Sequence, residues 1–121
     1  MALILFIDDD PLTLETLKRS VELFGHETAL ASSGEEALTL VATQQPDLIM
    51  TDMMLPDMDG LTLVKRLKDS PNVEGVPVVV LSASPEVDAG ELSRAAGAEE
   101  FLSKPVRLET LQDVIKRFTG E

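Results

Sequence analysis

The 121-residue sequence contains no cysteine, so it can build no disulfide, no thiolate metal site and no cysteine nucleophile. A single histidine, His26, removes any histidine-cluster metal site. Basic residues are scarce: 10 Lys plus Arg stand against 22 Asp plus Glu, a formal charge of −12. Binding to nucleic acid or to an anionic membrane relies on clustered Lys and Arg, so this balance argues against both. The apolar run of the N-terminus, MALILFIDDDP, is far too short to span a bilayer and ends in acids instead of a cleavage site. The expectation is a cytoplasmic protein, with Met1 and the short Thr119-Gly120-Glu121 tail as natural ends. Internal repeats, linkers and low-complexity segments are also missing, and the length fits one domain, 1–121, whose own surface must carry any output. Carboxylates, hydroxyls, lysines and backbone remain for chemistry, which points to oxygen-loving divalent cations.

What is present is unevenly laid out. Between Arg19 and Lys65 there is no Lys or Arg, while eight acids fall there: Glu22, Glu27, Glu35, Glu36, Asp47, Asp52, Asp57 and Asp59. The glutamates read as a solvated face. The aspartates differ, because several adjoin apolar runs.

Four of those runs are short, unbroken and rich in branched residues: Leu3 to Ile7, Leu48 to Met50, Val76 to Leu81 with Pro77 inside it, and Phe101-Leu102. Continuous hydrophobicity is the pattern of a strand covered on both faces. Glu27 to Ala31 is weaker and suits an edge strand. Between the runs the period becomes helical: Leu14, Leu17, Val21 and Phe24; Ala37, Leu38 and Val41; Leu61, Val64 and Leu67; Leu92, Ala95 and Ala96; and Leu108, Leu111, Ile115 and Phe118. Asp10-Pro11 and Ser84-Pro85 start helices with an acceptor before proline, and Ser33-Gly34-Glu35-Glu36 has capping-box spacing. Gly25, Gly97 and Asp69-Ser70-Pro71 stop them. Five β-α repeats predict an α/β fold, a doubly wound five-stranded parallel sheet with helices on both faces and right-handed crossovers.

Ligands of such sheets bind beyond the carboxyl ends of the strands. Asp8-Asp9 follow the first run, Asp52 the third, Ser82 the fourth and Lys104-Pro105 the fifth. Each has an ordinary explanation. Asp10 reads most simply as an N-cap, and Asp57, Asp59 and Gly60 as turn and cap residues after Pro56. Ser82 alone is a strand-end hydroxyl, and Lys104 alone a surface lysine. Asp8 and Asp9 are left without such a role, and the convergence of four strand ends is harder to explain than any member. Three carboxylates, Asp8, Asp9 and Asp52, would carry −3, each close pair repelling by roughly 4 kcal/mol at about 4 Å and an effective dielectric of about 20. Lys104 plus one divalent cation brings that pocket to zero, and an all-oxygen ligand set favours Mg²⁺. A carboxylate held against Mg²⁺ and an ammonium is suited to attack phosphorus, giving an aspartyl phosphate.

The sequence resembles the receiver domain of two-component response regulators, the CheY-like family, along essentially its whole length. The resemblance is carried by FIDDDP at 6–11, DLIMTDMMLPDMDG at 47–60, VVVLSA at 78–83 and AGAEEFLSKP at 96–105. It implies a flavodoxin-like strand order 2-1-3-4-5. It also implies that Asp52 accepts a phosphoryl group from a histidine kinase or histidine phosphotransfer protein. Asp9 would bind Mg²⁺ directly and Asp8 largely through water, with Asp52 and the backbone carbonyl of Met54 as further ligands. Ser82, where threonine is frequent, would hydrogen-bond the phosphoryl group, and Lys104, joined to Pro105 by a cis peptide bond, would pair with it. Phe101 would turn inward as the aromatic switch, without the hydroxyl of a tyrosine. Met54 and Ser84 stand where members of the family tune the lifetime of the acyl phosphate.

The function expected is a phosphorylation-activated switch, not an enzyme beyond its own phosphorylation and dephosphorylation. One alternative is a phosphatase resembling the haloacid dehalogenase superfamily, because Asp8-x-Asp10 after a first strand satisfies its nucleophile motif, although such enzymes need longer chains. A second alternative is a receiver-fold binding module that is never phosphorylated. With no helix-turn-helix pattern the output is expected to be protein binding, by a monomer that can pair on phosphorylation. Lys18, Arg19, Arg94, Arg107 and the last helix are candidate docking patches.

Overall fold

The computed structural model describes residues 1–83 and 94–120. The expected helix start at Ser84-Pro85, Leu92 of the small-residue stripe and the terminal Glu121 lie outside the described residues. Strands β1 (Leu3–Ile7), β2 (Glu27–Ala31), β3 (Leu48–Asp52), β4 (Val78–Ser82) and β5 (Glu100–Ser103) alternate with helices α1 (Pro11–Leu23), α2 (Gly34–Val41), α3 (Gly60–Lys68) and α4 (Leu108–Thr119). A short 3-10 turn, Pro71–Val73, precedes β4, and residues 94–95 before β5 are helical. All strand pairings are parallel, in the order β2-β1-β3-β4-β5. Among the described residues no helix is long and apolar enough to cross a membrane.

Two apolar layers sandwich the sheet. Leu5, Ile7, Ile49, Val78 and Val80 meet Ala37 and Val41 of α2 and Leu63, Val64 and Leu67 of α3 on one face. Ile4, Phe6, Leu48, Met50, Val79 and Leu81 meet Leu14 and Val21 of α1 and Leu111, Val114 and Ile115 of α4 on the other. Successive strand residues point to opposite faces, so only a sheet buried on both sides needs unbroken apolar strands. Two helical stripes are corrected by the packing. Leu108 is 51% exposed, and Val114 takes the buried place. In α3, Leu63 is buried while Leu61 is only partly so.

The starts of α1, α2, α3 and α4 lie at the carboxyl edge of the sheet. Asp10 caps α1, accepting from Leu12 N–H at 3.1 Å and from the Thr13 hydroxyl at 2.7 Å. Ser33 caps α2 by accepting from Glu36 N–H at 3.1 Å, while the Glu36 carboxylate accepts from Ser32 N–H at 3.0 Å. Asp59 caps α3, accepting from Thr62 N–H at 2.7 Å. At the opposite edge, Glu99 accepts from Val78 N–H at 2.6 Å and pairs with Lys68, whose ammonium also donates to the Val76 carbonyl at 3.0 Å. His26, buried there, accepts the Ala2 N–H on Nδ1 at 3.1 Å.

Candidate functional site

The parallel register delivers the expected residues to one place. Asp52 pairs in register with Leu81, and Ser82 with Ser103, so β3, β4 and β5 end side by side. Backbone hydrogen bonds continue the ladder one step beyond the strands. Asp8 N–H donates to the Ala31 carbonyl at 3.0 Å, Met53 N–H to Leu81 at 2.9 Å, and Lys104 N–H to Ser82 at 2.8 Å. Asp8, Asp52, Ser82 and Lys104 therefore spring from backbone already held by the sheet.

Asp8, Asp9 and Asp52 each offer a carboxylate oxygen, and these oxygens lie within 4.8 Å of one another. Asp8 is buried and Asp9 exposed, so the cluster opens to solvent on the Asp9 side. The Lys104 ammonium lies 2.6 Å from Asp8 Oδ2 and 3.3 Å from Asp52 Oδ2. Asp8 Oδ1 accepts in turn from Asp10 N–H at 2.9 Å. Burial pulls the Lys104 ammonium toward lower pKa, but the bond to Asp8 and the charge of Asp52 outweigh it and hold the group above its ordinary value. Lysine is thus charged at every physiological pH, and the pocket stands at −2. That residual charge, carried by oxygen donors alone, fits a hard divalent cation.

The remaining expected residues fall around the cluster. Ser82 is buried at the end of β4. The Lys104–Pro105 peptide is cis. Phe101 is partly buried and packs on the α2–α3 face of the sheet. Met54 is 71% exposed and its thioether is a poor ligand for a hard cation, so what it can bring to the cluster is its backbone carbonyl. Asp10, the second acid of the Asp8-x-Asp10 pattern, is occupied in capping α1, and its two hydrogen bonds to Thr13 and Leu12 lower its pKa. Of the candidate docking residues, Arg19 pairs with Glu15 along α1 at 3.0 Å, and Arg107 is the N-cap residue of α4. A cleft of about 500 Å³ adjoins the cluster, with Lys104, Leu81, Pro105 and Val106 facing Leu12 and Leu17 of α1.

Asp57 is where the sequence reading needs correction. Its carboxylate reaches beyond its own turn: Oδ1 accepts from Gly34 N–H and Oδ2 from Glu35 N–H, both at 2.9 Å, at the start of α2. Those two bonds hold its carboxyl below the usual range. Gly60 also does more than follow a cap. A Cβ there would lie 2.6 Å from the Asp52 carbonyl oxygen and 2.7 Å from Met53 Cα, so the chain can cross behind Asp52 only without a side chain. The Asp59-Gly60 pair signalled the cap; nothing local signalled either long-range contact.

Comparison with known proteins agrees with this fold. Residues 4–116 match the family model described as the response regulator receiver domain. The chain is 38% identical over 108 residues to the response regulator MprA of Mycolicibacterium vanbaalenii, covering 89% of this chain but 46% of that protein, about half its length. It is 32% identical to the polar-differentiation response regulator DivK of Brucella ovis, covering 98% of this chain and 96% of the relative. Among solved structures it superposes with a TM-score of 0.89 on the receiver domain of a sensor histidine kinase from Pseudomonas aeruginosa PAO1. That match is 26% identical over 99% of this chain and 98% of the other, which was solved with a magnesium ion coordinated in its active-site cleft.

Proposed function

Because the chain belongs to the response regulator receiver domain family, we propose that it is a phosphorylation-activated signalling switch in which Asp52 is the phosphoacceptor. The observation that carries this reading is the Lys104 ammonium reaching both Asp8 and Asp52 beside a third carboxylate. Asp8, Asp9 and Asp52, with the Met54 carbonyl, would hold Mg²⁺. When bound, the metal supplies positive charge opposite the phosphoryl oxygens. One oxygen of Asp52 attacks the phosphorus of a phosphohistidine on a kinase or phosphotransfer protein. The P–O bond forms as the P–N bond breaks, and the imidazole leaves. Lys104 stands ready to balance the charge that arrives, and Ser82, at the neighbouring strand end, has a hydroxyl to offer the phosphoryl oxygens. Drawing Ser82 and Lys104 toward a new dianion moves their loops, and Phe101, one strand position from Leu102, follows inward.

In this reading 1–121 is one receiver domain acting in the cytoplasm. Its only chemistry is its own phosphorylation and dephosphorylation, and its output is contact with a downstream protein. The charge of −12 disfavours direct contact with nucleic acid or membrane. The free form is a monomer, with pairing reserved for the phosphorylated state. The haloacid dehalogenase-like alternative is not favoured, since Asp10 is committed to its helix cap and Lys104 bridges to Asp52.

Intact-mass measurement after incubation with acetyl phosphate and Mg²⁺ tests the assignment. A single phosphoryl adduct is expected in the wild type and in Asp8→Asn at reduced yield, but not in Asp52→Asn. An adduct that survives Asp52→Asn and disappears in Asp8→Asn would return the reading to the phosphatase class. No adduct in any of the three would leave a binding module.

A further inference from the structure

The hairpin between β3 and α3 carries the Met54 carbonyl assigned above to the metal, and it departs from the sheet immediately after Met53. Its base is closed by Gly60 N–H donating to the Met53 carbonyl at 2.6 Å, against backbone that leaves no room for a Cβ. Together with a long hydrogen bond of 3.3 Å from Leu55 N–H to the Met58 carbonyl, that contact makes the single antiparallel bridge of Met54 with Asp59. Two such bonds are little to fix a loop whose residues Met54, Pro56 and Asp57 are exposed. The tip, however, is fastened to another element. The Asp57 carboxylate takes the Gly34 and Glu35 N–H groups of α2, one on each oxygen. Met58 lies across Gly34 so closely that a Cβ there would stand 2.6 Å from its Sδ.

The first turn of a helix leaves N–H groups unpaired and carries partial positive charge, so a carboxylate is a fitting partner. The α2 cap residue Ser33 covers only Glu36 N–H, which leaves Gly34 and Glu35 to Asp57. Glu35 and Glu36 in that turn would repel Asp57, but Arg66 of α3 lies 3.3 Å from Glu35 and offsets part of that charge. Ser33 by itself would leave the Gly34 and Glu35 N–H groups unpaired, so Asp57 completes the start of α2 and in the same contact anchors the hairpin tip.

The geometry points to Asp57 as a positioning residue of the metal and phosphoryl site, which fixes the Met54 carbonyl by tying the hairpin tip to the N-terminus of α2. The inference rests on the proposed metal assignment, and it couples the α2 N-terminus to the cluster. Partners that orient a metal ligand typically change affinity by about 10–100-fold when removed, and a backbone carbonyl held through a loop belongs at the lower end. By reciprocity, metal binding must tighten the Asp57 clamp by the same factor.

The test is a Mg²⁺ titration of ¹⁵N-labelled protein followed through the amide shifts of residues 8–10 and 53–55. Asp57→Ala is expected to raise the half-saturating Mg²⁺ about ten-fold, and Asp57→Asn, which keeps one neutral acceptor, to fall between. A merely structural contact would lower the melting temperature of Asp57→Ala and leave half-saturation unchanged, and that result overturns the inference. A wild type that shows no saturable shift overturns the metal assignment beneath it. Should Asp57→Ala not fold, the wild type alone decides: amide exchange at Gly34 and Glu35 must slow on saturation with Mg²⁺, and unchanged exchange refutes the coupling.

Discussion

The charge balance of the carboxylate cluster makes an unusual demand: removing the proposed phosphoacceptor charge should stabilise the metal-free protein. In Asp52→Asn the attraction of Lys104 at 3.3 Å is lost, roughly 5 kcal/mol at an effective dielectric of about 20. Two repulsions vanish with it. Asp8 and Asp9 lie within 4.8 Å of Asp52, so each contributes at least roughly 3.5 kcal/mol at the same dielectric, together about 7. The difference favours the variant by about 2 kcal/mol before screening, and Asp9 is exposed, so about 1 kcal/mol is expected to survive. For 121 residues this is a rise of about 4 °C in melting temperature. Calorimetry or thermal melts monitored by far-ultraviolet dichroism, in chelator and then in Mg²⁺, read it directly. Mg²⁺ should reverse the order: at about ten times its dissociation constant it adds about 1.4 kcal/mol, about 5 °C, to the wild type and much less to Asp52→Asn. A wild type that melts above Asp52→Asn in chelator, together with no response to Mg²⁺, would refute the account of three carboxylates held in mutual opposition.

Two further outcomes follow from the same cluster. Lys104→Met removes the ammonium 2.6 Å from buried Asp8, whose Oδ1 keeps the Asp10 N–H, and should cost about 3 kcal/mol in urea unfolding at neutral pH. The folded pKa of Lys104 is raised, so its contribution is complete below the ordinary value of 10.5 and fades only as pH climbs through the folded value. The gap between wild type and Lys104→Met should therefore be flat through the neutral range and close in alkali; a gap that closes below pH 9 contradicts it. Gly60→Ala places a methyl against the Asp52 carbonyl and Met53 Cα, which are backbone and cannot turn aside, and should cost about 3 kcal/mol and depress phosphorylation. Wild-type stability in that variant would refute the close crossing behind Asp52.

Much of this fold was legible because its signals are local. β1 and β2 begin and end at the residues that the apolar runs mark. β3, β4 and β5 run on into Asp52, Ser82 and Ser103, because ladder hydrogen bonds use backbone and are indifferent to a polar side chain. β4 starts at Val78 and not at Val76, since Pro77 has no N–H to give, although its carbonyl accepts from Ile49 N–H at 3.0 Å. The helical stripes are ambiguous in sequence where apolar residues outnumber the places available. Leu61 and Leu63 compete within nine residues, and only the crossing against α2 and the sheet decides for Leu63.

At the carboxyl edge the described residues include six aspartates with no intrinsic difference between them, and the fold sorts them by the donors each can reach. Asp10, Asp57 and Asp59 are held by the N–H groups that open α1, α2 and α3. Asp8, Asp9 and Asp52 are held at the strand ends, where among the described residues the neighbouring charges are one another and Lys104. Two of the three caps could be read from sequence because an N-cap precedes its own helix. The third could not, since Asp57 serves a helix that begins 23 residues earlier in the chain. The same logic separates chemistry from structure. A carboxylate satisfied by helix amides is neutralised where it stands, whereas one that faces other carboxylates remains short of positive charge and must draw it from lysine, metal or an incoming phosphoryl group's counter-ion. Neutralising Asp52 should therefore cost the cluster its function and not its stability, and the opposite sign holds for a true cap such as Asp59.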